Sequence, residues 1–325
     1  MYLRYHTRLL LKMNIPAVSA TRLLSLTAAC FLFAISCTKQ PDPKPEPEPD
    51  TEQSTAGDNN VAEMVAADIE SIGAQVAENS VLVTYKTAEA GALQMAPCAT
   101  VVLNPSNKTF TVDFGSVCLC RDGRVRSGKL FYNFAGSAVN ANYYRNPGFK
   151  MTVAAQNYVV DGHQVAINKK QVLNTTPQNI PSGYYPGINL TWSVTANIVV
   201  TKPDNGGTVS WQCDRTKELV NTADSSCYRG QNNYIVWPRA RVMWNGSASG
   251  TNASKEGFTS LATGLLRDFS CNPYPQHPNR HPFIAGTLTY KPGSRPARII
   301  DFGNGSCDLN ATVQINNVTY TISLP

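Results

Sequence analysis

Short segments in which apolar and polar residues alternate recur along most of the chain, and this pattern constrains its fold most strongly. Every second residue is apolar at positions 110–114 and 130–134. Other such segments flank turns at residues 161–162, 204–207 and 316–317, which contain Asp, Asn or Gly. Strand side chains alternate between two faces, and these turn residues accept the positive φ of tight hairpins. The chain is therefore predicted to be all-β, an antiparallel sandwich or meander.

One segment near the N-terminus has helical spacing instead. Apolar residues recur every three or four positions between Val61 and Val76. This spacing predicts one short helix over residues 61–79. Asp58 or Asn59 is available to cap its first turn, because both side chains can accept a bond from an exposed backbone N–H.

The first 36 residues have the order of a secretory signal. Positions 1–22 carry basic residues and no acidic residue, and an uncharged run of 14 residues follows at 23–36. A membrane-spanning helix needs about 20 apolar residues, so this run is too short to span. Residues 1–36 are predicted to be a lipoprotein signal peptide that starts at either Met1 or Met13.

The residues after this run indicate a lipid anchor. Residues 34–37, Ala-Ile-Ser-Cys, resemble a bacterial lipobox, which predicts acylation at Cys37 and membrane lipid as a partner. Prolines then alternate with mostly charged residues, and proline fixes φ and removes a hydrogen-bond donor. Residues 37–60 are therefore predicted to be an extended Pro/acidic tether. We expect a lipid-anchored protein of the bacterial outer membrane, on the cell surface.

Composition excludes two broad classes of protein. The chain has 42% hydrophobic residues and a net charge of +6, so it can bury a core and is not disordered throughout. Its 28 Lys+Arg oppose 22 Asp+Glu without a long basic cluster, which argues against a nucleic-acid partner. The sequence has no Gly-rich nucleotide loop, and we predict no cofactor. Nine cysteines indicate an oxidising compartment.

An internal repeat organises the cysteines. Twice in the chain, a cysteine precedes a hairpin, the returning strand ends in Asp-Phe-Gly, and a second cysteine follows within four residues. A disulfide needs Cα atoms within about 7 Å, and a hairpin brings its two ends that close. Cys98 is thus predicted to pair with Cys118, and Cys271 with Cys307. Cys118 is chosen over Cys120 because it is the first cysteine after its Asp-Phe-Gly, as Cys307 is in the second copy.

A third pair and two modules complete this prediction. Cys213 and Cys227 lie at the two ends of one connecting segment and form a third, weaker candidate disulfide. Residues 80–205 and 206–325 are predicted to be two related β modules. Metal ligation by the cysteines is the rival interpretation, but Cys-Leu-Cys spacing without a nearby His is not a zinc pattern. No metal site is predicted.

The same repeat resembles a known group of proteins. Asp-Phe-Gly-x-x-Cys followed by residues 121–129, and the closing stretches at 300–308 and 311–313, look like uncharacterised Bacteroidota-type surface or outer-membrane lipoproteins. The resemblance covers most of residues 98–324 in order. It implies a secreted, mainly β lipoprotein and no known enzyme activity, so no catalytic residues are carried over from it.

Candidate catalytic patterns are incomplete. Asp-Phe-Gly also occurs in protein kinases, but no kinase loop accompanies it here, so we expect a strand end with Phe inward, Asp bonded to the turn and Gly at a special φ. Residues 246–250 resemble a nucleophile elbow, yet Ala248 stands at the centre. His277 and His281 are four apart, and the prolines beside them argue against a helical metal motif.

Two features could contact a ligand. Arg124 and Arg126 alternate along one strand and are predicted to form a positive stripe, either as a protected edge strand or as a contact for anionic polymers or lipid headgroups. Tyr184 and Tyr185 lie between glycines and a proline and could stack on sugars in a loop. The tryptophans are expected to pack in the core, with glycan stacking as the alternative: Trp192, Trp211, Trp237 and Trp244.

These features predict a binding or structural role at the cell envelope, through adhesion or contact with a glycan or envelope polymer. The alternative is a secreted carbohydrate-active hydrolase, whose paired carboxylates would stand about 5–9 Å apart in a Trp-lined cleft. A third possibility is a subunit of a surface appendage with an exposed edge strand.

Overall fold

The computed structural model describes residues 54–78, 98–104, 106–139, 141–177, 188–220, 228–229, 234–236, 239–273 and 281–324. The predicted signal peptide and Cys37 lie outside these residues, as does the tether up to residue 53. Among the described residues, no helix is both long and apolar enough to be a membrane span.

The described chain contains one helix and sixteen strands, and every strand has fewer than thirteen residues. The helix α1 covers Ser54–Glu78, and the strands are β1 Thr100–Asn104, β2 Thr109–Asp113, β3 Cys118–Leu119, β4 Val125–Asn133, β5 Lys150–Val160, β6 His163–Asn174, β7 Leu190–Thr201, β8 Thr208–Leu219, β9 Tyr228–Arg229, β10 Tyr234–Ile235, β11 Arg241–Thr251, β12 Gly257–Asp268, β13 Phe283–Pro292, β14 Arg298–Asn304, β15 Asn310–Ile315 and β16 Val318–Ser323.

Fourteen strands form one antiparallel sheet in which neighbours in space follow the order of the chain. The path runs β1-β2-β4-β5-β6-β7-β8-β11-β12-β13-β14-β15-β16, and β3 pairs beside it with β4. The strands β9 and β10 form a separate small ladder. The prediction of an all-β antiparallel meander with one N-terminal helix is confirmed.

The predicted hairpin turns have the backbone conformation that their residues allow. Asp161 connects β5 to β6 with φ of 49°, and Asp204 connects β7 to β8 with φ of 54°. Asn316 and Asn317 connect β15 to β16 with φ of 49° and 63°. These left-handed residues match the right-handed strand twist, so consecutive strands pair directly and build a meander.

The large sheet curves around α1. The Tyr132 hydroxyl on β4 donates to the Ile69 carbonyl at 2.7 Å, and the Trp211 indole on β8 donates to Asn59 at 3.2 Å. Strand β13 also contacts the helix. The eight strands from β4 to β13 along the sheet would span roughly 34 Å if flat, whereas a helix is only about 10–12 Å across. The strands reach the same helix because the sheet is curved.

The helix differs from its sequence prediction in two ways. It begins at Ser54, so the tether predicted through residue 60 ends before the helix. Asp58 and Asn59 do not cap it, because they lie inside its second turn and bond to the sheet. Since the sheet surrounds it, α1 is buried on more than its apolar face, and the side chains of Glu70 and Glu78 are also buried.

The core lies between α1 and the concave face of the sheet. Every second residue of β7 is buried from Leu190 to Val200, as period-two alternation requires. The boundary predicted between residues 205 and 206 falls in the turn that joins β7 and β8. These two strands pair along their whole length, so the sheet is continuous across this position.

Candidate functional site

An open cleft on the convex face of the sheet has the size of a ligand-binding site. Its volume is about 710 Å³, within the roughly 300–1,000 Å³ range of small-molecule sites. It extends over β7, β8, β11, β12 and the end of β13. The lining residues are Asn197, Ser210, Trp211, Gln212, Ser249, Gly250, Thr251, Gly257, Phe258, Thr259, Lys291 and Gly293.

The cleft exists because small side chains occupy consecutive outward positions on neighbouring strands. Ser249 pairs with Gln212 across β8 and with Thr259 across β12, so these three side chains stand in one row. In the next outward row, Gly257 pairs with Thr251 and contributes no side chain. The larger Trp211 points into the core and is only 2% exposed, so the cleft floor is backbone and small polar groups.

The chemistry of the cleft is that of neutral hydrogen bonding. The Gln212 amide donates to the Ser249 hydroxyl at 3.0 Å, and the Asn197 carbonyl accepts from Asn168 at 3.0 Å. Among the described residues that line the cleft, Lys291 is the only charged one and none is acidic. This arrangement can bind hydroxyl and amide groups but offers no carboxylate pair for acid–base chemistry.

The sequence contained a signal for this cleft that its interpretation missed. By its sequence, the stretch at residues 246–250 resembles only an incomplete nucleophile elbow. In the structure the Ala248 side chain is buried on the inner face of β11, while Ser249 lines the cleft on the outer face. A strand with Ser249 and Thr251 on its outer face leaves space there, and that space is visible only once neighbouring strands are paired.

The predicted positive stripe is wrong, because Arg124 and Arg126 are buried. Their exposed fractions are 8% and 3%. The strand β4 that carries Arg126 is not an edge strand, since it pairs with β2, β3 and β5. Alternation placed both side chains on one face of the strand, as expected, but that face is turned toward α1 rather than toward solvent.

Arg126 joins α1 to the sheet through two carboxylates. One of its terminal nitrogens lies 2.6 Å from Asp68 on the helix and 2.6 Å from Asp122 in the turn before β4. Arg124 extends the network, since it lies 2.8 Å from Asp161. Burial disfavours the charged form of Asp68, but the nearby guanidinium groups of Arg126 and Arg124 outweigh this and lower its pKa. Such a carboxylate stabilises the fold above the ordinary pKa of about 3.9 and loses that effect as the pH falls.

Two further glutamates of α1 are buried beside cations of the sheet, and their pKa values shift in opposite directions. Burial would raise the pKa of Glu70, but Lys217 at 3.0 Å and Lys170 at 3.2 Å together lower it. Glu63 forms an ion pair with Arg215, and burial raises its pKa despite the opposing effect of Arg215 and of the cations further away. Buried ion pairs therefore join the helix to β6 and β8.

Both Asp-Phe-Gly segments have the geometry expected of strand ends. The Asp113 carboxylate accepts from the Gly115 backbone N–H at 2.9 Å, and Asp301 accepts from Gly303 at 2.8 Å. Both glycines have positive φ, 63° and 93°. The two aromatic side chains are buried in the core: Phe114 and Phe302.

The two disulfides predicted from the repeat are confirmed. Cys98 is bonded to Cys118 with Cα atoms 5.6 Å apart, and Cys271 is bonded to Cys307 with Cα atoms 5.4 Å apart. Each bond closes the hairpin that the repeat defined, β1–β2 in the first module and β13–β14 in the second. Cys120 is outside both bonds, as expected from its position.

The third disulfide is a correction. Cys213 is a buried thiol, not bonded to Cys227, and it donates to the Val194 carbonyl at 3.8 Å. Cys213 lies in the middle of β8 and faces α1, because its neighbours along the strand alternate inward and outward. Burial raises the pKa of this thiol to about 12, which leaves it protonated and unreactive. Cys227 itself lies outside the described residues.

The remaining candidates fall into two groups. Tyr184, Tyr185, Trp237 and His277 lie outside the described residues, so their predictions stay open. Trp192 and Trp211 pack in the core, as expected for strand tryptophans, and are not available to stack on sugars. The His281 ring nitrogen Nδ1 lies 2.6 Å from the Cys271 carbonyl oxygen. The described part of the chain contains no group of three or more His, Cys, Asp or Glu residues placed to hold a metal.

Comparison with known proteins leaves the geometry to carry the functional inference. No family model, no curated protein and no solved structure matches this chain.

Proposed function

We propose that this protein is a lipid-anchored protein of the bacterial outer membrane that binds a neutral, hydroxyl-rich ligand, such as a glycan or another envelope polymer, in the outer cleft. The observation that carries this proposal is the cleft of about 710 Å³ lined by hydroxyl, amide and glycine groups. The structure does not support Arg124 and Arg126 as contacts for an anionic ligand, because both form ion pairs with carboxylates of the protein itself.

The chemistry of the cleft favours a saccharide over a charged ligand. A polyanion would need several cations, and Lys291 is the single one among the described lining residues. Hydroxyl groups of a sugar can both donate and accept, which matches Ser249, Thr259 and Gln212. Because the cleft is open and crosses several strands, it suits a segment of a polymer better than an enclosed small molecule.

Binding is favoured over hydrolysis in this cleft. A glycosidase needs two carboxyl groups about 5–9 Å apart on either side of the scissile bond. The described lining residues contain no Asp or Glu. The secreted hydrolase considered from the sequence therefore finds no catalytic pair here.

The proposed anchor rests on the lipobox-like residues 34–37 and on the proline-rich stretch that follows them. Acylation at Cys37 would tether the folded domain to the membrane and present the cleft to the envelope. Labelling with a palmitate analogue should tag the wild-type protein and the Cys30→Ala variant but not Cys37→Ala. Equal labelling of all three proteins would show that Cys37 is not the site of acylation, and the proposed anchor would be wrong.

A binding screen with two matched double variants tests the cleft. The wild-type protein is presented to arrays of glycans and envelope polymers, and its best ligand is titrated. Ser249→Leu with Thr259→Leu fills the cleft with apolar volume and removes two hydroxyls, so affinity should fall about tenfold or more. Ser247→Leu with Thr263→Leu makes the same changes at exposed positions on the same strands that do not line the cleft.

The control variant should bind as tightly as the wild type. If both double variants lose affinity equally, the contact lies elsewhere on the convex face. If the wild type binds no neutral polymer in the panel, the proposed ligand class is wrong.

A further inference from the structure

The first Asp-Phe-Gly module brings three cysteines together. Cys98 and Cys118 form its disulfide, and the Cys120 thiol lies with its Sγ atom 4.0 Å from the Sγ atom of Cys118. That distance is close to van der Waals contact between two sulfur atoms. A thiol held this near a disulfide is in position for exchange, which requires a direct approach of one sulfur to the other.

The alternation of the strand explains this proximity. Cys118 and Cys120 are two residues apart and both point inward, with exposed fractions of 1% and 4%. Val117 and Leu119 alternate with them, point outward and are 71% and 65% exposed. Two inward side chains at this spacing lie on one face of the strand, so their sulfur atoms are neighbours.

The backbone holds Cys120 in this position. Its N–H donates to the Arg124 carbonyl at 2.8 Å, and its carbonyl accepts from Gly123 at 2.9 Å. These bonds close the turn between β3 and β4 around the cysteine. Cys98, in contrast, lies at the exposed start of the first hairpin.

We propose that the first module is a thiol–disulfide exchange site in which Cys120 attacks the bond between Cys98 and Cys118. The Cys120 thiol loses its proton, and its sulfur forms a new bond to Cys118. The bond between Cys118 and Cys98 breaks, and Cys98 leaves as a thiolate that takes up a proton. One disulfide replaces another, so the step needs no oxidant or reductant.

The exchange moves reactivity from the interior to the surface. Before the step, the thiol of the module is the buried Cys120, which solvent reagents cannot reach. After it, the thiol is that of the exposed Cys98, whose sulfur lies 3.8 Å from the Leu119 carbonyl oxygen. Such a thiol can attack an external disulfide, form a mixed disulfide with one half of it and release the other half as a thiol. The ligand class of the site is thus a disulfide-bearing molecule or protein.

The second module lacks this chemistry and is an internal control. Its disulfide joins Cys271 and Cys307, but the residue two positions after Cys307 is Leu309. No sulfur stands where Cys120 stands in the first module. The second disulfide is therefore expected to be permanent.

Non-reducing peptide mapping of the full-length protein tests the proposal. The protein is held at about pH 8.5, because exchange requires a thiolate and its formation is favoured by alkaline pH, then unfolded in excess alkylating reagent and cut with trypsin. In the starting arrangement, peptide 87–108 is linked to peptide 109–121, which carries an alkylated Cys120. After exchange, peptide 109–121 runs alone with an internal disulfide, and peptide 87–108 carries an alkylated Cys98.

The exchanged pair of peptides should appear in the wild type and in the Cys213→Ser variant, and should be absent from Cys120→Ser. The Cys213→Ser variant removes a buried thiol that is remote from the module, so it controls for the loss of a cysteine. Finding only linked peptides in the wild type after prolonged incubation would overturn the proposal. Separated peptides in Cys120→Ser would also overturn it, because the attacking sulfur would then not be Cys120.

Discussion

The two Asp-Phe-Gly segments, at residues 113–115 and 301–303, end their strands in turns that we call corners. The two corners share a local geometry but have different surroundings. In each, the Asp carboxylate accepts a bond from the Gly two residues later, and a disulfide closes the preceding hairpin. Eight residues after the second cysteine, however, the first module has Arg126 and the second has Ile315. Both side chains are buried, with exposed fractions of 3% and 1%.

This difference determines how each corner is connected to the rest of the fold. Arg126 bridges Asp68 of α1 and Asp122, so the first corner connects the helix to the sheet by charge. Ile315 lies in the hydrophobic core at the end of β15, where the contact is apolar. The second corner also borders an open cleft of about 440 Å³ lined by Asp301, Asn304 and Asp308, among others.

The comparison shows that a local motif defines a turn but not its energetic role. An apolar contact tolerates partial loss, because removing one methylene group, as in Ile→Val, costs only about 0.5–1.5 kcal/mol. A buried ion pair does not, because removing one partner leaves the other charge in a poorly solvated site. The two modules are thus expected to respond differently to comparable substitutions.

The largest effect is expected at Arg126. The Arg126→Ala variant leaves Asp68 and Asp122 without their shared cation, and the free energy of unfolding should fall by about 3–5 kcal/mol. Lys129→Ala on the same strand is the matched control, because Lys129 is 44% exposed and its pair with Asp113 is at the surface. Chemical denaturation of both variants measures the difference. Similar stability of the two variants would contradict a fastening role for Arg126.

The next effect concerns the two disulfides. The bonds close sequence separations of 20 and 36 residues, so chain entropy predicts losses of about 3 and about 4 kcal/mol, respectively, when each is removed. Cys98→Ala with Cys118→Ala and Cys271→Ala with Cys307→Ala are compared by denaturant unfolding. If removal of the first, shorter bridge costs more than removal of the second, loop length does not set the order, and the neighbouring ion pairs depend on that bridge.

Local signals in the sequence predicted the parts of the fold that depend on near neighbours. Alternation and turn residues gave the strands, and the repeat gave both corners and both disulfides. These features follow from contacts within a hairpin. For example, the Asp301 carboxylate accepts a bond from the Gly303 backbone N–H two residues later. The same locality explains why Cys118 could be distinguished from Cys120.

Features that depend on what packs against a strand were not predictable in this way. Alternation placed Arg124 and Arg126 on one face, but only the curvature of the sheet around α1 made that face internal. The sequence predicts Asp58 as a helix cap, but its carboxylate accepts a bond from Lys202, which is 144 residues away in the sequence. The cleft was missed for the same reason, since Ser249 and Gln212 become neighbours only through strand pairing.

The smallest effect separates the two corner glycines. A Cβ atom at Gly115 meets no atom within 4 Å, and at Gly303 the nearest atom is the Ile284 carbonyl oxygen at 3.7 Å. Space is therefore sufficient at both, and substitution costs only backbone strain. The φ of 63° at Gly115 lies in the left-handed region that Asn tolerates, whereas 93° at Gly303 lies beyond it.

Gly115→Ala should therefore cost about 1–2 kcal/mol of unfolding free energy, and Gly115→Asn should cost less. Gly303→Ala should cost more than Gly115→Ala, and Gly303→Asn should recover little of that loss, because neither residue readily adopts φ near 93°. Thermal and denaturant unfolding of the four variants give the ranking. Equal costs at the two positions, or equal rescue by Asn, would show that the corners relax to a common conformation and that their difference lies only in what surrounds them.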